Sequence, residues 1–169
     1  LIAGELDDET IIIGSVGDND SLGQLTLLID ACDSSSNRLV LPYMGYARQH
    51  KRFQKGEPIS ARAVAQVFSR GVKEVITVNI HEKGVLSYFG VPARNISLSP
   101  DIGEYIKTLN LKNPLILAPD KGAHAFAEQV ANVGGWDCDY LEKTRLSGVE
   151  VKMAPKQLCA ASRSVIIVD

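Results

Sequence analysis

The feature that most constrains this chain is a repeated alternation. Short β-branched or apolar runs give way, again and again, to longer stretches with apolar residues at helical spacing. The runs fall at 10–13, 39–43, 75–80, 115–118, 138–142 and 164–168. Between them come Leu22, Leu25, Leu28, Ile29 and Cys32; then Val64, Val67 and Phe68; then Ile102, Tyr105, Ile106 and Leu109; then Phe126, Val130 and Val133. Strands that alternate with helices cannot pair as hairpins. They pair in parallel, with helices carried on both faces of the sheet.

Local signals mark the ends of these elements. Ser21-x-x-Gln24 fits a capping box, and the run 34–37 closes that first helix. Ser60 can cap the second, with Gly71 just past its end. Ser99-Pro100-Asp101 supplies a cap, a first-turn proline and a first-turn acid for the third. Gly134-Gly135 stops the fourth. The short run 10–13 ends at Gly14 and reads as a buried strand. The pattern restarts near Leu98, which divides the chain into 1–97 and 98–169.

Bulk composition narrows the function. The chain has 169 residues and a net charge of −2, with 45% hydrophobic and 22% charged residues. That balance suits a globular domain pair and argues against a general nucleic-acid binder, so any anion site must be local. No apolar run reaches the roughly 18 residues that a membrane helix needs. Cys32, Cys138 and Cys159 are widely spaced and lack a C-x-x-C pair, which favours reduced, structural thiols and a cytoplasmic setting. Leu1 is not an initiator methionine, and residues 164–168 form an apolar strand that stops at Asp169. Both ends suggest a piece of a longer protein.

In an open parallel sheet, ligands bind beyond the carboxyl ends of the strands. The strand at 39–43 is followed by Arg48-Gln49-His50-Lys51-Arg52. The next ends lead into His81-Glu82, Pro119-Asp120-Lys121-Gly122, Glu142-Lys143-Thr144-Arg145 and Asp169. One charged strand end is ordinary, because strands run out into polar loops. A succession of them, with clustered cations and glycine-containing turns, is better explained by a polyphosphate and metal site. Each residue has a plainer reading on its own. Arg48, Gln49, Lys143 and Arg145 could sit in solvated loops. His81 could be a satisfied structural histidine. Asp120 could simply cap the helix that follows.

The segment P-Y-M-G-Y-A-R-Q followed by G-E-P-I-S resembles the ATP-binding segment of ribose-phosphate diphosphokinases, nearest to their archaeal branch. The likeness extends to N-I-H-E, A-P-D-K-G and L-E-K-T-R-L, and so covers nearly the whole chain. It implies two similar phosphoribosyltransferase-like α/β domains, each a mostly parallel sheet flanked by helices, the second incomplete. The first, 1–97, would bind ATP; the second, 98–169, would bind ribose phosphate. The implied reaction passes the diphosphoryl group of ATP to the 1-hydroxyl of ribose 5-phosphate, giving phosphoribosyl diphosphate and AMP.

The resemblance assigns roles residue by residue. Arg48, Gln49 and His81 match the ATP-binding positions. His81 and Asp120 match positions next to Mg2+. Lys143 and Arg145 match the catalytic pair that opens a mobile segment, here 146–155, containing Ser147, Gly148 and Pro155. Arg145 and Asp169 match ribose 5-phosphate positions. A homo-oligomer, at least a dimer, is implied with them. The departures are His50 and Asn79, where many relatives carry Asp. An F-P-D-G-E segment is expected before Leu1 and a T-G-G-T loop beyond Asp169, so the piece in hand is expected to be inactive alone. A phosphoribosyltransferase, or a non-catalytic nucleotide-binding relative that regulates a synthetase, are the rival readings.

Overall fold

The structure is a computed structural model that describes residues 6–32, 36–145, 151–153 and 160–169. The chain divides into two compact units, Leu1–Ser97 and Leu98–Asp169. In the first unit β1 (Glu9–Ile13), β2 (Ser36–Leu41), β3 (Glu74–Val78) and β4 (Ala93–Ile96) form one sheet in that spatial order, every neighbouring pair parallel. Ile12, Leu39, Val75 and Ala93 stand in register across it. Helices α1 (Asn19–Ala31) and α2 (Ser60–Phe68) return the chain between strands. Leu25 and Ile29 of α1, and Val64, Ala65 and Phe68 of α2, join Ile12, Leu39, Leu41 and Val75 in one core.

Side chains alternate across a strand, so the neighbours of these core residues face the other way. There the expectation of a strand buried on both faces fails. Ile11 and Ile13 are 61% and 65% exposed, because α1 and α2 cover only the face that carries Ile12. The same open face carries a row of charges. Arg38 reaches Glu9 at 3.6 Å and Glu74 at 3.7 Å, and Arg94 pairs with Glu74 at 2.7 Å. Cross-strand pairs of opposite charge favour this register, each contributing on the order of 0.2–1 kcal/mol.

In the second unit β5 (Pro114–Ala118) lies between β6 (Asp137–Tyr140) and β9 (Ser164–Ile167), parallel to both. α3 (Ser99–Thr108) packs on α4 (Lys121–Gly134), which packs on β5 and β6. Gly103 permits the helix contact: a Cβ there would lie 2.4 Å from Cβ of Val133. Arg163 fixes the entry to β9. Its guanidinium pairs with Asp137 at 2.8 Å and donates to the carbonyls of Asn113 and Pro114. β7 (Lys143–Arg145) and β8 (Val151–Met153) form a separate antiparallel pair.

The helix caps depart from the sequence reading in a consistent way. The first capping box belongs to Asp18, whose Oδ1 accepts the Ser21 N–H at 2.8 Å while Ser21 Oγ accepts the Asp18 N–H. Aspartate outranks no other cap by much, but Asp18 has the extended backbone that an N-cap needs. Bonding to the Ser21 side chain and backbone holds the Asp18 carboxyl below its usual pKa. Ser60 and Ser99 are first helical residues rather than caps. Their hydroxyls serve longer-range bonds, to Gln49 Oε1 at 2.7 Å and Gln129 Oε1 at 3.3 Å.

Cys32 and Cys138 are free thiols, and burial pushes the Cys138 thiol pKa up. Cys159 lies outside the described residues. No described helix is long and apolar enough to cross a membrane.

Phe68 is fully buried where α2 meets the first sheet. Phe68→Ala should therefore destabilise the protein by about 3–5 kcal/mol, the usual cost of deleting a buried aromatic ring. Chemical denaturation measures it; a loss under about 1 kcal/mol would mean that α2 does not anchor this core.

Candidate functional site

Parallel pairing sends the ends of β2 and β3 to one edge of the first sheet. Beyond β2 the chain enters a short 3-10 helix, Gly45–Arg48. Gly45 suits the tight space there. Its N–H donates to the Val16 carbonyl at 2.8 Å, and a Cβ would meet that same oxygen at 3.1 Å and the Tyr43 ring at 3.2 Å. Val16 also bridges Met44, so the turn after β1 braces the turn after β2. Arg48 leaves the end of this 3-10 helix with an exposed side chain.

Beyond β3 the backbone turns sharply at Asn79, whose φ is 44°. Asparagine is among the few non-glycine residues that take this left-handed conformation readily. The departure from Asp at this position therefore suits the turn. His81 follows, exposed, before the 3-10 helix Lys83–Tyr88. Arg48 and His81 line one cleft, together with Tyr43, Thr77, Asn79 and Ile80, over an apolar floor of Leu41 and Met44. The cleft joins a fixed cation, an imidazole, a phenol and a buried hydroxyl, a set able to receive an anionic, hydrogen-bonding ligand.

Gln49 follows Arg48 but turns toward α2. Its Oε1 accepts from Ser60 Oγ at 2.7 Å, and its carbonyl accepts the Ala61 N–H. It is not among the residues lining the cleft. The loop after it is held by its own bonds. Glu57 Oε2 accepts the N–H groups of Phe53 and Gln54, and Arg52 Nε donates to the Glu57 carbonyl at 2.9 Å. Lys51 Nζ sits 5.7 Å from the Phe53 ring centre. Tyr88 donates its hydroxyl to the His50 carbonyl at 2.9 Å, tying this basic loop to the 3-10 helix after His81.

In the second unit Asp120, Lys143 and Asp169 all leave the same edge, because Ala118 pairs with Tyr140 and Leu117 with Ile167. Asp120 caps α4: its Oδ1 accepts the N–H groups of Gly122 at 2.8 Å and Ala123 at 3.2 Å. The plainer role weighed for Asp120 is thus present, and its other carboxylate oxygen lies outside those two bonds. Lys143 and Arg145 are on β7, and their side chains lie outside the described residues. The segment 146–155 is in part a strand, β8; Ser147, Gly148 and Pro155 lie outside the described residues. Asp169 is exposed just past β9.

No group of three or more His, Cys, Asp or Glu that could hold a metal lies together among the described residues. In the second unit Asp120 and Asp169 offer carboxylate oxygens, the donor type that Mg2+ takes one or two at a time while keeping several waters and phosphate oxygens.

Tyr43, Thr77 and Tyr88 were not singled out by the sequence reading. Thr77 had a signal, a hydroxyl inside the apolar run V-I-T-V. Tyr43 stands in the P-Y-M-G-Y-A-R-Q segment, and Tyr88 has no signal beyond its aromatic character.

Comparison with known proteins extends these observations. Residues 6–71 match the N-terminal domain of ribose phosphate pyrophosphokinase. The chain is 44% identical to a ribose-phosphate pyrophosphokinase of Methanosarcina mazei over 99% of its own length and 57% of that protein. It is 39% identical to that of Methanopyrus kandleri over 98% of its length and 59% of that protein. In fold it resembles the crystal structure of a phosphoribosylpyrophosphate synthetase from Mycobacterium smegmatis, with a TM-score of 0.77 at 24% identity, covering 95% of this chain and 54% of that one. The chain thus spans somewhat over half the length of the curated relatives it matches. Over nearly its whole length, then, the chain is similar in sequence to archaeal ribose-phosphate pyrophosphokinases, and residues 6–71 match the N-terminal domain of that family.

Proposed function

We propose that the protein of which this chain is part is a ribose-phosphate diphosphokinase. It would transfer the diphosphoryl group of ATP to the 1-hydroxyl of ribose 5-phosphate. The observation that carries this reading is the cleft of the first unit, which unites Arg48 and His81 at the ends of two adjacent parallel strands. Phosphate recognition at such strand ends is the general habit of open α/β sheets. Similarity to archaeal ribose-phosphate pyrophosphokinases over nearly the whole chain supports the same reaction.

In this reading the 1-hydroxyl oxygen attacks the β-phosphorus of ATP. The new oxygen–phosphorus bond forms as the bridge between the α- and β-phosphorus atoms breaks at the β side. AMP leaves with the bridging oxygen, and the hydroxyl proton passes to solvent. Such transfers depend on positioning and charge neutralisation more than on covalent help from the protein. Arg48 holds the nucleotide by its guanidinium, and His81 contacts the nucleotide from the facing strand end. Gln49 sets the approach of α2 as well as standing beside Arg48. Mg2+ would supply charge neutralisation on the polyphosphate, and of the residues proposed to serve it Asp120 offers a carboxylate and His81 an imidazole. Lys143 and Arg145 stabilise charge on the transferred group, Arg145 and Asp169 hold the ribose phosphate, and the 146–155 segment shields the reaction from water. The reading includes a cytoplasmic homo-oligomer of at least two subunits.

Three substitutions in the complete protein test the roles. Arg48→Ala should weaken Mg-ATP binding by about 10- to 100-fold, the value of a charge-assisted bond to phosphate; unchanged affinity in calorimetry rejects the role. Lys143→Ala should lower turnover about 100- to 1,000-fold, as removal of one preorganised donor does, with ATP affinity nearly intact. Near-normal turnover would remove Lys143 from the mechanism. Asp169→Ala should weaken ribose 5-phosphate binding selectively, and equal loss for both substrates would point to a fold effect. Release of AMP from ATP and ribose 5-phosphate tests the reaction as a whole.

A further inference from the structure

We propose that Asn95 is a positioning residue for His81, acting through the turn that follows β3. The proposal rests on the nucleotide-binding reading of the Arg48–His81 cleft and adds a residue that lies outside it. Asn95 is on β4, opposite Thr77 in the parallel register. Its Oδ1 accepts two bonds, from Thr77 Oγ1 at 2.9 Å and from the Ile80 N–H at 2.8 Å. The orientation of the amide is fixed by chemistry, since a backbone N–H can only donate and so demands the oxygen.

These bonds act where the chain most needs them. Residues 79–81 lie beyond the last residue of β3, where the regular ladder ends and each N–H group needs its own partner. β4 supplies both partners: the Ile96 carbonyl takes the Asn79 N–H at 2.9 Å, and the Asn95 side chain takes that of Ile80. Between the two bonds lies the left-handed residue Asn79, φ 44°. A left-handed residue in a turn persists when its surroundings over-determine it. With both neighbouring N–H groups tied to β4, the direction in which the backbone presents His81 is set. Thr77 gains as well, since its buried hydroxyl lines the cleft and is held by the same oxygen.

The test uses the complete protein and two readouts, the imidazole NMR signals and Mg-ATP affinity. This chain carries His50, His81 and His124, whose signals are assigned by substitution of each histidine in turn. His124 belongs to α4 of the second unit, 4.8 Å ring to ring from Tyr140, and reports on general unfolding. Asn95→Leu keeps the bulk and removes the acceptor. It should shift and broaden the His81 signal, leave that of His124 in place, and weaken Mg-ATP about tenfold, the scale of one lost hydrogen bond with its donor left unpaired. Asn95→Asp keeps an acceptor oxygen for the Ile80 N–H and should return both readouts toward the native values. If Asn95→Leu does not fold, Asn95→Ser, too short to bridge to Ile80, carries the same expectation.

Native His81 signals and native affinity in Asn95→Leu overturn the proposal. So does an Asn95→Asp variant as impaired as Asn95→Leu, or a His124 signal that moves with that of His81. Failure of the native protein to bind Mg-ATP would instead sink the nucleotide reading, and the His81 signal would still decide the role of Asn95.

Discussion

Everything in the cleft of the first unit depends on the parallel pairing of β2 with β3. Arg38, Leu39, Val40 and Leu41 stand opposite Glu74, Val75, Ile76 and Thr77. Parallel strands begin at one edge and end at the other, so the residues after Leu41 and after Val78 emerge side by side. A shift of one residue would turn Leu39 and Val75 away from Phe68 and the rest of the core. The energy of the apolar face therefore fixes the register, and the register fixes the separation of Arg48 from His81. The chemistry at the edge is set by packing at some distance from it.

The alternation of apolar runs with helical spacing made most of this architecture readable. The parallel sheets and the four helices follow from it, because β-branched runs and 3.6-residue periods are strong signals. What escaped has physical reasons. β4, A-R-N-I, is short and half polar, and its strand character comes from pairing with β3 rather than from its own composition. β7 and β8 are three residues each and pair with one another. Ser60 and Ser99 look like caps in sequence, yet partners distant in the chain claim both hydroxyls. The buried reading of β1 followed from its isoleucines alone; whether a face is covered depends on which side the helices return.

The site was legible to a similar degree. Strand-end logic points to Arg48 and His81 as candidates, and the fold gathers them in one cleft. It could not separate binding residues from those that build the cleft. Gln49 and Asp120 illustrate this. Each stands beside the edge where ligands are expected, and each is also tied to the start of a helix, Gln49 at α2 and Asp120 at α4. A polar side chain at a strand end can serve the helix that follows as well as a ligand. Composition alone gives no means of dividing the two tasks.

The hydroxyl of Tyr88 closes a mechanical circuit. It grips the carbonyl of His50, while the chain on one side of that contact leads back to Arg48 and on the other, through the 3-10 helix, to His81. Two segments separated by more than thirty positions in the polymer are thereby latched. A molecule that tugs on the guanidinium would drag the imidazole along, so the two arms of the cleft would respond to an occupant as a single hinged jaw rather than as independent fingers.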